Sequence, residues 1–122
     1  MIRRILSIVI IGASVATVAC APVSRFEWGT YEQALYAYSQ NPENRPVYKQ
    51  SLETAIERGR ARNAVAPGML AELGFLYLED GNVEQAVKAF QEERSLFPES
   101  AVFMDRVIRQ SGAPATVAGG QN

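Results

Sequence analysis

The sequence predicts an all-α fold of about five helices that pack as antiparallel hairpins. Three observations support this class. Apolar residues recur at intervals of three and four through most of the chain, which is the spacing of a helix face. No segment shows the sustained alternation of apolar and polar residues that marks a half-buried strand. Proline, glycine and asparagine separate the helical stretches, and a length of 122 residues suits one domain.

The first helix is predicted over residues 27–40 and is rich in aromatic residues. Ser24 and Glu27 stand at the spacing of a capping box, which would begin the helix at this point. Asn41 and Pro42 end it, because proline disfavours helical geometry in the residue before it. The predicted apolar stripe consists of Trp28, Tyr31, Leu35 and Tyr38.

The second helix is predicted over residues 46–62, with Pro46 in the first turn, where its missing N–H is tolerated. Gly59 weakens the helix near its end. Arg60 and Arg62 follow, and cations suit a helix C-terminus. The predicted apolar face consists of Tyr48, Leu52, Ala55 and Ile56.

The third and fourth helices are predicted over residues 67–80 and 83–96, separated by a stop at Gly81. Asn82 is the expected N-cap of the fourth helix, and Gln85 stands three residues later, as in a capping box. The predicted buried stripe of the fourth helix consists of Val83, Ala86, Val87, Phe90 and Phe97.

A fifth helix is predicted over residues 99–111, after the break at Pro98. Its inward positions are Ala101, Met104, Val107 and Ile108. Residues 112–122 are small, polar and uncharged, so we expect a disordered tail.

The first 19 residues have the organisation of a secretory signal peptide. Arg3 and Arg4 give a positive start, and residues 5–11 are apolar apart from one serine. Small residues then lead to Ala19. The apolar run is shorter than the ~20 residues that a membrane-spanning helix needs.

This segment ends in Thr17-Val18-Ala19-Cys20, which resembles the lipobox of bacterial lipoproteins. The resemblance implies cleavage between Ala19 and Cys20, followed by acylation of the Cys20 sulfur and of its new amine. Residue 21 is Ala rather than Asp, which favours sorting to the periplasmic face of the outer membrane. Two alternatives stay open: an ordinary signal peptide cut near Ala19, or an uncleaved anchor.

These signals divide the chain into four parts. They are a signal peptide at 1–19, a lipidated linker at 20–26, a helical domain at 27–111 and a disordered tail at 112–122.

The composition argues against several classes of function. The chain has no histidine, which is the commonest general base and transition-metal ligand. Its single cysteine cannot form an internal disulfide or a cysteine-rich metal site. A formal net charge of -1 provides no broad positive field for nucleic acid. We therefore predict neither an enzyme nor a nucleic-acid-binding protein, and no metal or cofactor.

Residues 67–98 carry the most specific motif of the helical part. The stretch resembles a tetratricopeptide repeat, a unit of ~34 residues folded as two helices. The matching positions are Leu70, Leu73, Gly74, Tyr77, Gly81, Ala86, Phe90 and Pro98. Glu93 departs from the pattern, since a small residue is usual there. By this resemblance, the pair at 27–62 is a degenerate preceding unit and the helix at 99–111 is a capping helix.

In tetratricopeptide hairpins the first helix lines a concave groove. Carried onto this chain, the groove positions are Ala71, Phe75, Leu78 and Glu79. Two interpretations stay open for the apolar members. They either form a patch that binds a protein partner, or pack against the pair at 27–62 or against the tail.

The wider resemblance is to a family of small bacterial lipoproteins of unknown function. It rests on Trp28-Gly29-x-Tyr31-Glu32, Leu35-Tyr36-x-Tyr38, Pro67-Gly68-x-x-Ala71-Glu72-Leu73-Gly74 and Phe97-Pro98-Glu99-Ser100 before Phe103-Met104. Members of that family are typically encoded beside lipoproteins related to the curli secretion pore. The resemblance implies a cell-envelope complex, with a curli-secretion-type lipoprotein as a candidate partner, and no known catalytic residues.

The leading functional hypothesis is an adapter, anchored to the membrane by acyl chains, that binds another envelope protein. The alternative is a glycan- or lipid-binding lipoprotein, in which Trp28, Tyr31 and Tyr38 would stack on a sugar. A carboxylate enzyme is the least favoured hypothesis. Its candidate residues are Glu72, Glu79, Asp80, Glu92 and Glu93.

Overall fold

The computed structural model describes residues 24–112 and is all-α over that range. The helices are α1 (Tyr31–Gln40), α2 (Arg45–Arg62), α3 (Met69–Glu79), α4 (Val83–Leu96) and α5 (Ala101–Gln110). Short 3-10 turns, Pro42–Asn44 and Pro98–Ser100, lead into α2 and α5. The predicted fold class and helix number are therefore confirmed. The signal peptide, Cys20 and nearly all of the predicted tail lie outside the described residues.

The helices pack in chain order, each against the next. Two groups of buried side chains hold them together. The first cluster joins α1, α2, the loop that follows α2, and α3; its fully buried members include Leu52, Ala66 and Leu70. The second cluster consists of Ala86, Phe90, Met104 and Val107 and joins α4 to α5. Tyr77 of α3 packs against both clusters, so the array has a continuous core.

The start of the first helix differs from the prediction. Helix α1 begins at Tyr31, and the capping box at Ser24 and Glu27 does not form. The Ser24 hydroxyl instead donates to the carbonyl of Phe26. The N–H of Glu27 donates to the Ala64 carbonyl at 2.7 Å, which pairs this segment with the loop after α2. A long-range backbone bond therefore replaces the local cap.

This shift also changes the predicted stripe of the first helix. Trp28 lies before the helix, and Leu35 lies at the edge of the buried face with an exposed fraction of 36%. Ala34 is the buried residue of α1. Tyr31 and Tyr38 pack against the first cluster as predicted.

Gly59 of α2 has a packing role that its helix propensity does not reveal. A Cβ at this position would lie 2.8 Å from the Cα of Val65. The chain reverses at Asn63, which has a φ of 51° and closes the helix C-terminus. Glycine at 59 is therefore required for the returning segment to cross α2 at close range.

The hairpin of α3 and α4 has the packing that the repeat resemblance implies. A Cβ at Gly74 would lie within 3.0 Å of three atoms of the Phe90 ring, so glycine allows the two helices to approach closely. Gly81 turns the chain with a φ of 76°. The Asn82 side chain accepts from the N–H of Gln85 at 3.2 Å, which confirms the predicted N-cap.

Candidate functional site

The predicted groove residues of α3 do not share one open surface. Ala71 and Leu78 are half-buried and pack against the second cluster, beside α4 and α5. Glu79 points to α2, where its carboxylate accepts from Arg45 at 3.1 Å. These two apolar residues therefore pack against the C-terminal helices, which neither of the two open interpretations named.

Phe75 is the apolar groove residue that stays open to solvent. Its side chain is 41% exposed, although it lies in the middle of α3. One side of the ring rests against Phe90, with ring centroids 5.2 Å apart and planes at 63°. Phe90 thereby holds a large apolar surface in a defined orientation, which is a feature of protein-binding positions.

The aromatic residues of the first hairpin form a contiguous row. Trp28 lies 5.8 Å from Tyr31, Tyr31 lies 6.2 Å from Tyr48, and Tyr38 stacks on Tyr48 at 5.2 Å. Phe26 meets the edge of Trp28 at 6.4 Å. These rings pack against one another and against the first cluster. The geometry favours a role in the core over a stacking platform for a sugar.

A carboxylate joins this aromatic row to α3. Glu72 accepts hydrogen bonds from the hydroxyl groups of Tyr31, at 2.9 Å, and Tyr48. Burial, and then the hydrogen bond to Glu72, raise the pKa of Tyr31 to about 12. The same causes raise the pKa of Tyr48. This three-residue network ties α1, α2 and α3 together.

We expect Tyr48→Phe to weaken the fold at neutral pH and to reduce its sensitivity to alkali. Because burial, and then the hydrogen bond to Glu72, raise the pKa of Tyr48 above its ordinary 10.0, its hydroxyl gives stability that is complete below pH 10 and declines as the pH rises above 10. The variant lacks one of the two hydroxyl groups whose ionisation beside Glu72 destabilises the folded chain at alkaline pH. The free energy of unfolding in urea should fall by about 1 kcal/mol at neutral pH. It should then change less than that of the native chain between about pH 9 and pH 11.

The control for this experiment is Tyr36→Phe, because Tyr36 is 69% exposed and lies outside the network. Its stability should follow that of the native chain at every pH. Equal alkaline losses in the native chain and in Tyr48→Phe would contradict a stabilising role for the Tyr48 hydroxyl.

The remaining candidate carboxylates are divided among different partners. Glu79 and Asp80 accept from Arg45 of α2, and Asp80 also accepts from Lys49 at 2.6 Å. The hydrogen bond from Lys49 is the largest cause that lowers the pKa of Asp80. Glu92 of α4 pairs with Arg60 of α2. These contacts link neighbouring helices, and residues 24–112 contain no group of three or more acidic or cysteine side chains placed to hold a metal ion.

Glu93 of α4, which departs from the repeat pattern, is buried against the start of α3. Its side chain is 3% exposed, and Oε1 accepts from the N–H of Gly68 at 2.7 Å. Gly68 has no side chain with which to cap α3, so the carboxylate from α4 supplies the acceptor. Burial raises the pKa of Glu93, although the backbone N–H groups of Gly68, Ala71 and Leu70 act to lower it. Its Oε2 has no hydrogen-bond partner among residues 24–112.

The sequence indicated some of these features and missed others. The exposed Phe75 was among the predicted positions, while the Tyr31–Glu72–Tyr48 network was not. Residues 31 and 72 are 41 positions apart, and no local pattern connects them. The signal for Glu93 was its departure from the small residue usual at that position.

Together these features define a small all-α protein of packed helical hairpins with an exposed aromatic residue on its third helix. None of the helices within residues 24–112 is long and apolar enough to cross a membrane. The chain belongs to the family defined by the domain of unknown function DUF4810, whose model matches residues 26–107. No curated protein and no solved structure matches it.

Proposed function

We propose that this chain is an adapter lipoprotein of the bacterial cell envelope that binds another envelope protein through α3. The observation that carries the proposal is Phe75, a large apolar side chain that is 41% exposed in the middle of a helix. Binding surfaces are enriched in aromatic anchors, and the Phe90 ring holds this one in a defined orientation. Helical hairpins of the repeat type generally present a surface to partners.

The proposed anchor is a set of acyl chains on Cys20, after cleavage between Ala19 and Cys20. A single acyl chain binds a bilayer only weakly, so the three chains of a mature lipoprotein would give stable attachment. Ser24, where the described structure begins, follows Cys20 by four positions. At ~3.5 Å per residue, this spacing would keep Ser24 within about 14 Å of the attachment point.

The proposed partner is a second lipoprotein of the same envelope complex. The resemblance to lipoproteins encoded beside curli-secretion-type proteins supports this choice. Such a partner would share the periplasmic face of the outer membrane, and confinement to one surface raises the effective concentration of both proteins. A modest α3 surface would then suffice for binding.

The test is an affinity pull-down from detergent-solubilised envelopes, comparing the native chain with Phe75→Glu. Placing a charge at the centre of an apolar contact leaves it without a partner, so recovery of the bound lipoprotein should fall by roughly tenfold or more. Proteins in the eluates are identified by mass spectrometry.

Two further variants control this experiment. Val47→Glu introduces the same charge at an apolar residue of α2 that is 58% exposed, and it should retain the partner. Cys20→Ser should move the chain from the membrane fraction to the soluble fraction. Recovery of the same lipoprotein with Phe75→Glu would contradict the α3 surface. Absence of any specific protein would favour the alternative, a glycan- or lipid-binding function.

A further inference from the structure

Exposed large apolar residues lie on both terminal helices of the array, two on α1 and two on α5. Seven such residues lie within residues 24–112, and Phe75 is the one that lies on the central helix α3. The others are Leu35, Tyr36, Val47, Leu96, Val102 and Phe103. Terminal helices of repeat arrays normally present a polar outer face, because nothing stacks on them. In this chain both terminal helices, α1 and α5, depart from that rule.

The outer face of α5 combines apolar and positive residues. Val102 is 75% exposed and Phe103 is 52% exposed. Arg106 and Arg109 share the helix face of Val102, at intervals of four and seven residues. Neither arginine forms an ion pair within the described residues, and both are exposed. This face therefore presents two cations beside an apolar surface.

The outer face of α1 is the counterpart, with apolar and negative residues. Tyr36 is 69% exposed and Leu35 is 36% exposed. Glu32 precedes them by three and four residues on the same side of the helix, and it pairs with no cation within residues 24–112. Helix α1 contains no basic residue. The two ends of the array thus match in apolar character and are opposite in charge.

We propose that copies of this chain associate head to tail, with the outer face of α5 on one copy packed against the outer face of α1 on the next. Such a contact is heterologous, so it generates a row or a ring rather than a closed pair. The Arg106 and Arg109 side chains would meet Glu32 of the neighbour across an apolar centre of Val102, Phe103 and Tyr36. This association uses surfaces other than Phe75, so it does not require partner binding by α3, but it rests on the proposed attachment of the chain to the membrane through Cys20.

The contact should be weak between free molecules and stronger on a membrane. Each copy contributes the outer face of one ten-residue helix. The area buried between two such faces is smaller than the ~1,200 Å² that stable interfaces bury. Attachment of all copies to one surface raises their effective concentration without a new contact. The association is therefore best tested in the membrane with the full-length chain.

The test is disulfide cross-linking between two tagged forms of the full chain that are produced in the same cells. One form carries Tyr36→Cys and the other Val102→Cys, and isolated membranes are oxidised before electrophoresis without reductant. We expect mixed dimers to exceed dimers of either form alone by roughly tenfold, as an α5-to-α1 contact requires. Chains without introduced cysteines measure any background from Cys20.

A matched control replaces Val102→Cys by Gln91→Cys, an exposed position on α4. This control should give no mixed dimers above background. Equal dimer yields from single forms would show a like-to-like contact and would overturn the proposal. Absence of mixed dimers would overturn it as well.

Charge reversal provides a second, independent measurement. Arg106→Glu with Arg109→Glu in the Val102→Cys form should lower the mixed dimer roughly tenfold, because like charges then face each other. Adding Glu32→Arg to the Tyr36→Cys form should restore it. Since recovery requires folded chains, restoration excludes unfolding as the cause of the loss. A yield that ignores both changes would refute the charge pairing.

Discussion

Gly74→Ala is expected to lower the free energy of unfolding by about 3 kcal/mol, the upper part of the range for overpacking a core. The new Cβ would lie within 3.0 Å of three atoms of the Phe90 ring. Phe90 is a fully buried member of the second cluster and its ring lies against α3, so the ring has little room to move. Alanine by itself favours a helix over glycine by ~1 kcal/mol, which the clash must exceed. Urea denaturation measures the loss.

A double-mutant cycle shows whether the Phe90 ring causes the loss. Phe90→Ala alone should cost ~3–5 kcal/mol, since it leaves a large cavity. In that background, Gly74→Ala should cost less than ~1 kcal/mol or become favourable, because the clash has gone. If the Gly74→Ala loss is undiminished there, contact with Phe90 is not its cause.

Gly59→Ala is the matched control for this cycle. It is also a replacement of a buried helical glycine, but its Cβ would meet the backbone of Val65. Its cost should be the same with or without Phe90→Ala, because the two sites share no contact of this kind.

These glycines also show what the sequence could predict about the fold. Gly74 and Phe90 belong to one hairpin with a short turn, and both stand at positions that match the repeat pattern, although that pattern did not name their contact. Asn82 and the bounds of α4 were likewise predictable, because capping depends on residues only three positions apart. Gly59 was predicted only to weaken α2. Its true neighbour, Val65, became evident only once the path of the following loop was known.

The start of α1 and the separation of the groove residues could not be predicted from the sequence, because both depend on contacts between residues that are far apart along the chain. A local capping box at Ser24 and Glu27 was available, but the backbone of Glu27 binds Ala64 instead. A bond across 37 residues has no periodic signature. Similarly, the repeat resemblance placed Phe75 and Leu78 on the groove side of α3, while packing against the second cluster decided which of them is open to solvent.

Glu93→Ala is expected to cost about 2–3 kcal/mol of unfolding free energy, because it leaves the Gly68 N–H and the start of α3 without an acceptor in a buried site. It also removes most of a side chain that is 3% exposed, which adds a cavity. Against this, the variant no longer buries a carboxylate whose pKa is raised by burial. The lost cap and the cavity should exceed that gain. Urea denaturation of both chains at neutral pH measures the difference.

Glu93→Gln separates the role of the acceptor from that of the charge. Glutamine keeps an oxygen for the Gly68 N–H and fills the same volume, but it cannot ionise. At neutral pH its stability should lie within ~1 kcal/mol of that of the native chain, because a neutral group avoids the cost of a buried charge. A loss as large as that of Glu93→Ala would show that the negative charge itself stabilises α3.

The difference in stability between the native chain and Glu93→Gln should depend on pH. Because burial raises the pKa of Glu93 above its ordinary 4.5, the folded chain takes up the proton more readily than the unfolded chain. The contribution of Glu93 is therefore complete below pH 4.5 and is lost as the pH rises through the higher folded value. Asp80, with a lowered pKa, has the opposite effect, but it is present in both chains and cancels in their difference. The native chain should thus gain stability relative to Glu93→Gln as the pH falls from 7 towards 4.5, and a constant difference would contradict a buried, ionisable Glu93.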